Sequence, residues 1–467
     1  MGQSPATHGN LSLRRIIGFA CNQGFVFFLF YMGTNRSYSI GDFSFERAEL
    51  FGALFFMVVV FAILRLISPK TRNALLMRPL LIVYAIMGVI GSFIPVFLDS
   101  ASAFWIPIEG ALIGIPCALL LMSWGRAFGE SSTKVSVPEV FFGSVIGALV
   151  GLIVSLIPID GVTYVLHLLP IVSAAALMAA PQSDAETAST SVVEASSTVL
   201  LSAKIIAGTA LFGMAAGFME TFNTNPGNPA MAAYPVSLLL FGAFALGTLS
   251  LLRSDGFGRG AALNKAYRLA LFIMMTGYLL IPVPQFAESL VPGEAIVLAG
   301  YLGLSAVLIS LFLVLAKLTG SDTAASFSKG FVALFGGELI GVALANAFDY
   351  AQPDYVTPYS VVVFAGLLVL FSYVFLFTER DFENLSEIVT STDSLEDACS
   401  AIAVEYGLSG REAEILPFAL RGRTSDRISQ ELHISKSTVD THLRRIYQKA
   451  GVHNRQELID LGEAKRG

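Results

Sequence analysis

Residues 293–316 read GEAIVLAGYLGLSAVLISLFLVLA, a run of 24 residues in which Glu294 is the only charged side chain. About 20 predominantly apolar residues are enough for a helix to cross a bilayer. Similar runs occur at about 16–33, 48–67, 79–98, 103–124, 137–157, 161–180, 200–222, 230–252, 266–283, 330–349 and 358–378. The sequence therefore predicts an all-α protein that contains a bundle of twelve transmembrane helices.

The composition of the whole chain agrees with a membrane protein. Apolar residues make up 54% of the chain and charged residues only 14%, and the mean hydropathy is +0.69. A soluble chain carries about 25% charged residues, so a purely soluble enzyme, a disordered chain and a disulfide scaffold are excluded. Cys21, Cys117 and Cys399 show no metal-ligand spacing, and neither a metal nor another cofactor is expected.

Charge is concentrated at the C-terminal end of the chain. Residues 379–467 contain 12 of the 29 Lys and Arg residues and 16 of the 35 Asp and Glu residues. The chain is therefore expected to contain a membrane part and a soluble part. We expect five segments: a six-helix membrane half (1–180), a flexible Ser/Thr-rich linker (181–199), a second six-helix half (200–378), an acidic connecting helix (379–407) and a C-terminal domain (408–467).

The positions of Lys and Arg predict the orientation of the membrane helices. With the N terminus in the cytoplasm, fifteen Lys and Arg residues of the loops and helix ends lie inside, and only Arg36 and Arg47 lie outside. Positively charged loops stay on the cytoplasmic side. Because twelve helices are an even number, both termini are expected in the cytoplasm, with the chain in the inner (cytoplasmic) membrane.

The six-plus-six layout resembles the major facilitator superfamily of transporters. The loop after the eighth run, Arg253-Ser-Asp-Gly-Phe-Gly-Arg259-Gly260, is similar to the D-x-x-G-R loop of that family. The equivalent loop after the second run, 68–73, lacks the Gly and the Asp. The resemblance covers about 360 residues and implies a bundle built from two repeated halves.

Polar side chains at membrane depth are the candidates for a ligand site, because such residues are costly in a bilayer and often functional. The candidate ligand-binding residues are Asn22, Gln23, Glu109, His167, Glu220 and Glu338. Glu338 lies among Gly336, Gly337 and Gly341 and is expected to face the bundle interior. The alternative is that these groups only bond neighbouring helices or reach towards an interface.

The soluble part begins with a predicted amphipathic helix from Asp393 or Ser394 to Tyr406. Its acidic face would avoid both DNA and anionic lipid, which indicates a spacer. Four helices are predicted after it, from their N-terminal signals: Ser409-x-x-Glu412, Thr424, Ser435 and Asn454-x-x-Glu457. A short second helix, a turn of about three residues and a longer third helix follow one another, which is helix-turn-helix spacing.

The third of these helices carries an apolar stripe and a polar stripe. Val439, Leu443, Ile446 and Ala450 recur at helical spacing and predict the core face. Ser437, Thr441, Arg444 and Gln448 recur on another face, where an Arg is suited to the major groove of DNA. The alternative is that this face is only exposed to solvent, and the polar stripe taken alone would favour that alternative.

The order of residues resembles the LuxR-type (GerE/NarL-like) DNA-binding domain of bacterial transcription regulators. The resemblance rests on Leu408-Ser-x-Arg411-Glu412-x-Glu414-Ile415-Leu416, Gly422, Ile428, Leu432-x-Ile434-Ser435-x-x-Thr438-Val439-x-x-His442, Ile446, Lys449, Gly451-Val452 and Asn454-Arg455. It implies that the third helix enters the major groove and that the domain forms a homodimer on double-stranded DNA through the fourth helix, from about Val452 to Leu461.

The resemblance also implies individual roles. Asp440, Thr441 and Arg444 would face bases. Thr424, Ser437, Thr438, Arg445 and Lys449 would hold phosphates or helix caps. The chain departs from the family's frequent pattern at Asp426-Arg427, at Asp440 and at Ala450, which affects the preferred DNA sequence more than the fold.

Three functions remain open from the sequence. The first is a membrane-embedded one-component regulator, in which the twelve-helix domain senses an unknown small-molecule ligand and the cytoplasmic domain binds promoter DNA. The second is a secondary transporter with an appended regulatory domain. The third is a simple membrane anchor, for which one helix would suffice. No nucleophile–base set is evident, so an enzyme is not expected.

Overall fold

The computed structural model describes most of the chain, and nearly all of its regular structure is helical. The described residues are 11–32, 37–40, 43–97, 104–157, 161, 164–179, 195–221, 234–253, 259–283, 291–319, 323–351, 358–371, 394–395, 397–432 and 434–465. A short antiparallel hairpin follows the first helix and consists of β1 (Tyr38–Ile40) and β2 (Phe43–Phe45), with Tyr38 opposite Phe45.

The N-terminal half contains the helices of the first six predicted runs. They are α1 (Leu13–Phe27, continued by a π-helical turn, Phe28–Met32), α2 (Ala48–Leu66), a short α3 (Pro69–Leu75), α4 (Arg78–Phe97), α5 (Trp105–Gly129), α6 (Thr133–Leu156), α7 (Tyr164–His167) and α8 (Leu169–Ala179). The second half contains α9 (Ala195–Thr221), α10 (Tyr234–Arg253), α11 (Arg259–Leu280), α12 (Gly293–Thr319), α13 (Thr323–Ala351) and α14 (Pro358–Phe371).

All twelve predicted apolar runs coincide with helices of the described residues. Nine of these helices are long and apolar enough to cross a membrane. The remaining three runs correspond to the α7–α8 pair, which is interrupted at Leu168, to α11, which contains Lys265 and Arg268, and to α14, of which 14 residues are described. The all-α class is confirmed, with the small hairpin as an addition.

The helices pair in the same way in both halves. In the first half α1 packs against α6 and α8, α4 against α5 and α8, and α2 against α5. In the second half α9 packs against α13 and α14, α11 against α12 and α14, and α10 against α12. Between the halves α2 packs against α13 and α6 against α10. The two six-helix units are therefore repeats with the same packing arrangement.

Glycines allow α9 and α13 to touch backbone to backbone. A Cβ atom on Gly213 or Gly217 would lie 2.1 or 2.2 Å from the carbonyl oxygens of Leu334 and Glu338. A Cβ atom on Gly337 would lie 2.1 Å from the carbonyl oxygen of Ala210. Small residues permit such close approach between membrane helices. This contact fixes the position of Glu338 against α9.

The soluble unit contains a connecting helix and four further helices. Residues 394–395 and 397–405 are helical and are called the connecting helix. It is followed by α15 (Gly410–Leu420), α16 (Ser425–Glu431), α17 (Lys436–Ala450) and α18 (Arg455–Ala464). The predicted N-caps are confirmed: Ser409, Thr424, Ser435 and Asn454 each accept a hydrogen bond from the backbone of the first turn.

The connecting helix belongs to the core of this unit. Leu395 and Ile402 are buried in the same apolar cluster as Ile415, Leu443 and Leu458. Cys399 and Tyr406 pack against that cluster. The interpretation as a spacer therefore needs correction for the connecting helix, because its apolar stripe packs into the core formed by the helices that follow.

Several predicted features lie outside the described residues. They are most of the linker 181–199, the centre of the Arg253–Gly260 loop, residue 433 in the helix-turn-helix, and the acidic segment 379–393 before the connecting helix.

Candidate DNA-binding surface and membrane-embedded polar cluster

The two helices of the helix-turn-helix begin and end at capping residues. The Thr424 side chain accepts from the backbone of Arg427 at 3.3 Å, and the Ser435 side chain accepts from the backbone of Thr438 at 3.1 Å. Gly451 ends α17 with a φ of 69°, in the left-handed region that favours glycine. These caps set the length of α17, the helix that was predicted to read DNA.

The two stripes of α17 separate as predicted. Its apolar stripe, from Val439 to Ala450, is buried in the core of the domain. The predicted DNA-facing residues of this helix are all exposed: Ser437, Thr438, Asp440, Thr441, Arg444, Arg445 and Lys449. Arg444 and Arg445 form no ion pair among the described residues, so their guanidinium groups are available to an outside partner.

Lys449 is already engaged within the domain. Its ammonium group donates to Glu412 Oε2 at 2.7 Å and to the carbonyl oxygen of Gly407 at 2.9 Å. Burial raises the pKa of the Glu412 carboxyl, but the hydrogen bonds from Lys449 and Ser409 outweigh it and lower the pKa to about 2. Lys449 therefore holds α17 against the start of α15 in the free domain.

Asp426, one of the departures noted in the sequence, is paired across the turn. Its carboxylate accepts from Lys436 Nζ at 2.8 Å, which joins the second helix of the motif to the third. This hydrogen bond raises the pKa of Lys436. The neighbouring Arg427 donates to Glu431 at 2.9 Å within α16. The charges of Asp426 and Arg427, which depart from the family's frequent pattern, are thus each paired with another residue of the motif.

Two of the predicted ligand-site residues, Glu220 and Glu338, lie together in the second half of the membrane domain. Glu338 of α13 is fully buried and accepts a hydrogen bond from the hydroxyl of Tyr301 on α12 at 2.5 Å. Glu220 of α9 is buried, and its carboxyl group interacts electrostatically with that of Glu338. The α9–α13 glycine contact places these two helices side by side.

Arg47 reaches the same cluster from the first half of the chain. Its side chain is buried, donates to Glu49 at 3.1 Å and to the carbonyl oxygen of Phe30, and interacts electrostatically with Glu220 and Glu338. The sequence placed Arg47 in a loop, and its role was missed. The sequence contains one indication of this role. Arg47 lies directly before an apolar run, and charged groups at membrane depth pair with one another.

The remaining predicted ligand residues lie in the first half. His167 stacks on Phe93 with ring centroids 4.3 Å apart and meets Phe28 edge-on at 4.8 Å. Asn22, Gln23 and Glu109 are buried in α1 and α5. Among the described residues, Asn22, Gln23 and His167 have no described contact with Glu220 or Glu338, and a ligand site formed by the six candidates stays a prediction.

A further buried acid of the membrane domain, Glu139, was not predicted. It lies on α6 and is fully buried, and Arg15 of α1 pairs with it at 2.9 Å while the backbone of Ser12 donates to it at 2.6 Å. The Arg15 guanidinium and the backbone of Ser12 thus bind this carboxylate, which makes Glu139 a link between α1 and α6.

Comparison with known proteins identifies the C-terminal domain. Residues 407–461 match the family described as bacterial regulatory proteins, luxR family. The chain is 36% identical over 84 residues to the uncharacterized response regulatory protein YgeK of Escherichia coli K12, which is 17% of this chain and 57% of that protein. It is 40% identical over 56 residues to the transcriptional regulator MalT of Yersinia pestis, which is 12% of this chain and 6% of that protein. The chain thus covers less than two thirds of these relatives.

The C-terminal domain is therefore a LuxR-type helix-turn-helix DNA-binding domain, as the order of its residues indicated. In the sequence, this domain follows a bundle of apolar helices.

Solved structures resemble the membrane part only remotely. The major facilitator superfamily transporter FucP, in the outward conformation, aligns with a TM-score of 0.45 and 12% identity over 78% of this chain and 97% of that one. A bacterial homologue of the iron transporter ferroportin aligns with a TM-score of 0.45 and 12% identity over 80% of this chain and 98% of that one. The conclusion that the two halves are repeats rests on the helix contacts within this chain and does not use these alignments.

Proposed function

We propose that this protein is a membrane-embedded one-component transcription regulator. In this proposal the helical bundle binds a small molecule, and the LuxR-type domain binds promoter DNA. The observation that carries it is the position of the connecting helix. Its apolar face lies in the core of the DNA-binding domain, and its Asp397 pairs with Lys134 at the start of α6.

This arrangement gives a physical route between the two parts. A ligand shifts a conformational equilibrium only if it binds one state more tightly than the other. Movement of α6 would act on the connecting helix through Lys134, and the shared core would transmit that movement to α17. No receiver domain is needed for this route, so the signal is expected to come from the membrane domain itself.

The orientation predicted from Lys and Arg supports the proposal. With both termini in the cytoplasm of a bacterial cell, the DNA-binding domain lies on the side of the inner membrane where the chromosome is. On DNA, the resemblance assigns base contacts to Asp440, Thr441 and Arg444 and phosphate contacts or caps to the surrounding polar residues. We expect two copies of α18 to form the dimer contact.

Deletion of residues 1–390 tests the sensor role. The truncated chain retains the described core of the DNA-binding unit, so it should bind promoter DNA but lose any response to small molecules that change expression from a reporter. The full-length chain in the same cells is the reference. A truncated chain that responds like the full-length protein would disprove the sensor role.

A secondary transporter with an appended regulatory domain is the second candidate. The identical helix pairing in the two halves favours it, because repeated halves are how many transporters are built. It predicts uptake into vesicles that falls when Glu338 or Glu109 is changed to Gln. Binding of a ligand without uptake would support the regulator instead.

A further inference from the structure

The two six-helix halves are joined by hydrogen bonds to the backbone of Glu46, two residues before α2. The amide of Glu46 donates to Asn346 Oδ1 at 2.6 Å, and Asn346 Nδ2 donates to the carbonyl oxygen of Glu46 at 3.1 Å. Both residues are buried, and Asn346 lies near the end of α13. One turn further along α13, Tyr350 meets Phe43 of the hairpin with ring centroids 5.2 Å apart. The end of α13 therefore binds the segment that leads into α2.

The next residue, Arg47, has a backbone conformation that is uncommon for a residue with a Cβ atom. Its φ is 56° and its ψ is 40°, and it is the one non-glycine residue with a positive φ in the part of the chain that the structure describes. Such a conformation persists only where the surrounding structure holds it. Here the bonds from Asn346 hold the preceding residue, and α2 holds the chain from Ala48 onward.

The side chain of Arg47 forms a second link between the halves. It is buried, and within the first half it donates to Glu49 and to the carbonyl oxygen of Phe30. In the second half it interacts electrostatically with Glu220 of α9 and Glu338 of α13. Charged groups at membrane depth pair with one another, so the buried guanidinium favours the arrangement in which the two halves are in contact here.

These contacts lie on the face of the bundle opposite to the connecting helix. The starts of α1 and α6 lie on one face, because Arg15 of α1 pairs with Glu139 in the first part of α6. The connecting helix meets that same face through the pair formed by Asp397 and Lys134. The turn at Arg47 follows the other end of α1 and the hairpin. In the orientation predicted from Lys and Arg, the turn is on the outer side of the membrane.

We propose that the turn at Glu46 and Arg47 is a releasable latch, which holds the two halves closed on this face. The bonds from Asn346 and the guanidinium contacts of Arg47 favour the closed state. The backbone conformation of Arg47 favours release, because the residue can relax to a common conformation once those bonds are broken. Opposing contributions of this kind make a contact with two discrete states, and packed interfaces between helices switch between such states.

Distance measurement by electron paramagnetic resonance on the full-length protein in lipid nanodiscs tests the latch. Phe104→Cys and Val291→Cys receive nitroxide labels, in a chain whose three native cysteines are replaced by Ala. Both positions are exposed, and they precede α5 and α12, whose other ends lead through short loops to the starts of α6 and α13. The labels therefore lie on the latch face, one in each half. We expect a single distance population when the latch is intact.

Variants that remove latch contacts should add a population with a longer distance. Asn346→Leu removes both hydrogen bonds to Glu46 and keeps a side chain of similar size, and Arg47→Gln removes the buried charge. Each change should raise the ratio of open to closed molecules by about tenfold, the effect of losing one or two net hydrogen bonds. The double variant should raise it further. Either single variant decides the test if the other does not fold.

The same substitutions at contacts inside one half are the matched controls. Asn264 accepts from Arg268 within α11, and Arg15 pairs with Glu139 between α1 and α6. Asn264→Leu and Arg15→Gln should therefore keep the wild-type distance. The latch is overturned if the folded latch variants show only the wild-type distance, or if the controls gain the longer distance to the same extent.

Only the coupling of the latch to DNA binding rests on the proposed function. In the proposed regulator, Asn346→Leu should change promoter occupancy of the full-length chain without any added small molecule. If the longer distance appears while promoter occupancy stays unchanged, the coupling to DNA fails and the latch stands. If the longer distance does not appear, the latch fails whatever the promoter occupancy.

Discussion

Arg444 lies on the exposed face of α17 and has no ion-pair partner among the described residues. A guanidinium group that bonds a guanine edge contributes discrimination as well as affinity. Arg444→Ala should cost about 1–3 kcal/mol of binding free energy and relax the choice of base at one position. Binding of the C-terminal domain to a promoter series, each with one base changed, measures both effects.

Arg445→Ala provides the comparison for that experiment. If Arg445 contacts a phosphate, its loss should weaken binding equally for all sequences and reduce the salt dependence. Should Arg444→Ala also weaken every sequence equally, Arg444 would be a phosphate contact and its assignment as a base reader would be wrong.

The bond between Lys449 and Glu412 makes a second prediction at the residue scale. The Glu412 pKa is about 2 in the folded domain, against an ordinary value of 4.5. A carboxyl group whose pKa is lowered by folding stabilises the folded state above its ordinary pKa. This contribution should be complete above about pH 5 and should decline as the pH falls from 4.5 towards 2.

Lys449→Met should remove most of that pH dependence and lower the free energy of unfolding by about 1–3 kcal/mol, because Glu412 would lose a charged hydrogen-bond donor in a nearly buried position. Denaturant unfolding at several pH values measures it. Lys436→Met is the control, since the Lys436–Asp426 pair is exposed and such pairs contribute about 0–1 kcal/mol. An equal loss in both variants would contradict the structural role of Lys449.

At the scale of elements, the α9–α13 contact predicts different effects of substitution at two adjacent glycines. A Cβ atom on Gly337 would lie 2.1 Å from the carbonyl oxygen of Ala210, whereas a Cβ atom on Gly336 meets nothing within 4 Å. Gly337→Ala should therefore lower the thermal stability of the purified protein, by about 1–3 kcal/mol, the usual cost of overpacking. Gly336→Ala should leave it unchanged or raise it slightly, because Ala favours helix. Equal melting temperatures for the two variants would contradict this close contact.

The elements themselves were largely predictable, but their partners were not. Helix starts in the soluble unit follow from local chemistry, in which Ser435 or Asn454 accepts from its own first turn, so the sequence was sufficient there. The packing of Ile402 into the DNA-binding core is a tertiary contact that helical spacing alone cannot assign. Arg47 was missed for the same reason, since Glu220 and Glu338, with which it interacts electrostatically, are more than 170 residues away in the sequence.

At the scale of the whole molecule, two six-helix repeats meet along α2 with α13 and α6 with α10. The α6 helix thus lies between the halves, and its first turn contains Lys134, which pairs with Asp397 of the connecting helix. Any rearrangement of one half against the other would displace α6. The Lys134–Asp397 ion pair therefore connects α6, at the interface between the halves, to the connecting helix of the DNA-binding unit.

The size of the effect of that ion pair follows from its exposure. The side chains of Lys134 and Asp397 are 33% and 54% exposed, and exposed pairs contribute about 0–1 kcal/mol. A change of 1 kcal/mol shifts a two-state equilibrium by about fivefold. Lys134→Glu or Asp397→Lys should therefore change reporter expression by up to about fivefold, and the double variant with exchanged charges should return it towards the wild-type level. Lys70→Glu, an exposed lysine of the short α3, is the matched control. A double variant no closer to wild type than either single variant would show that this contact does not connect the membrane domain to DNA binding.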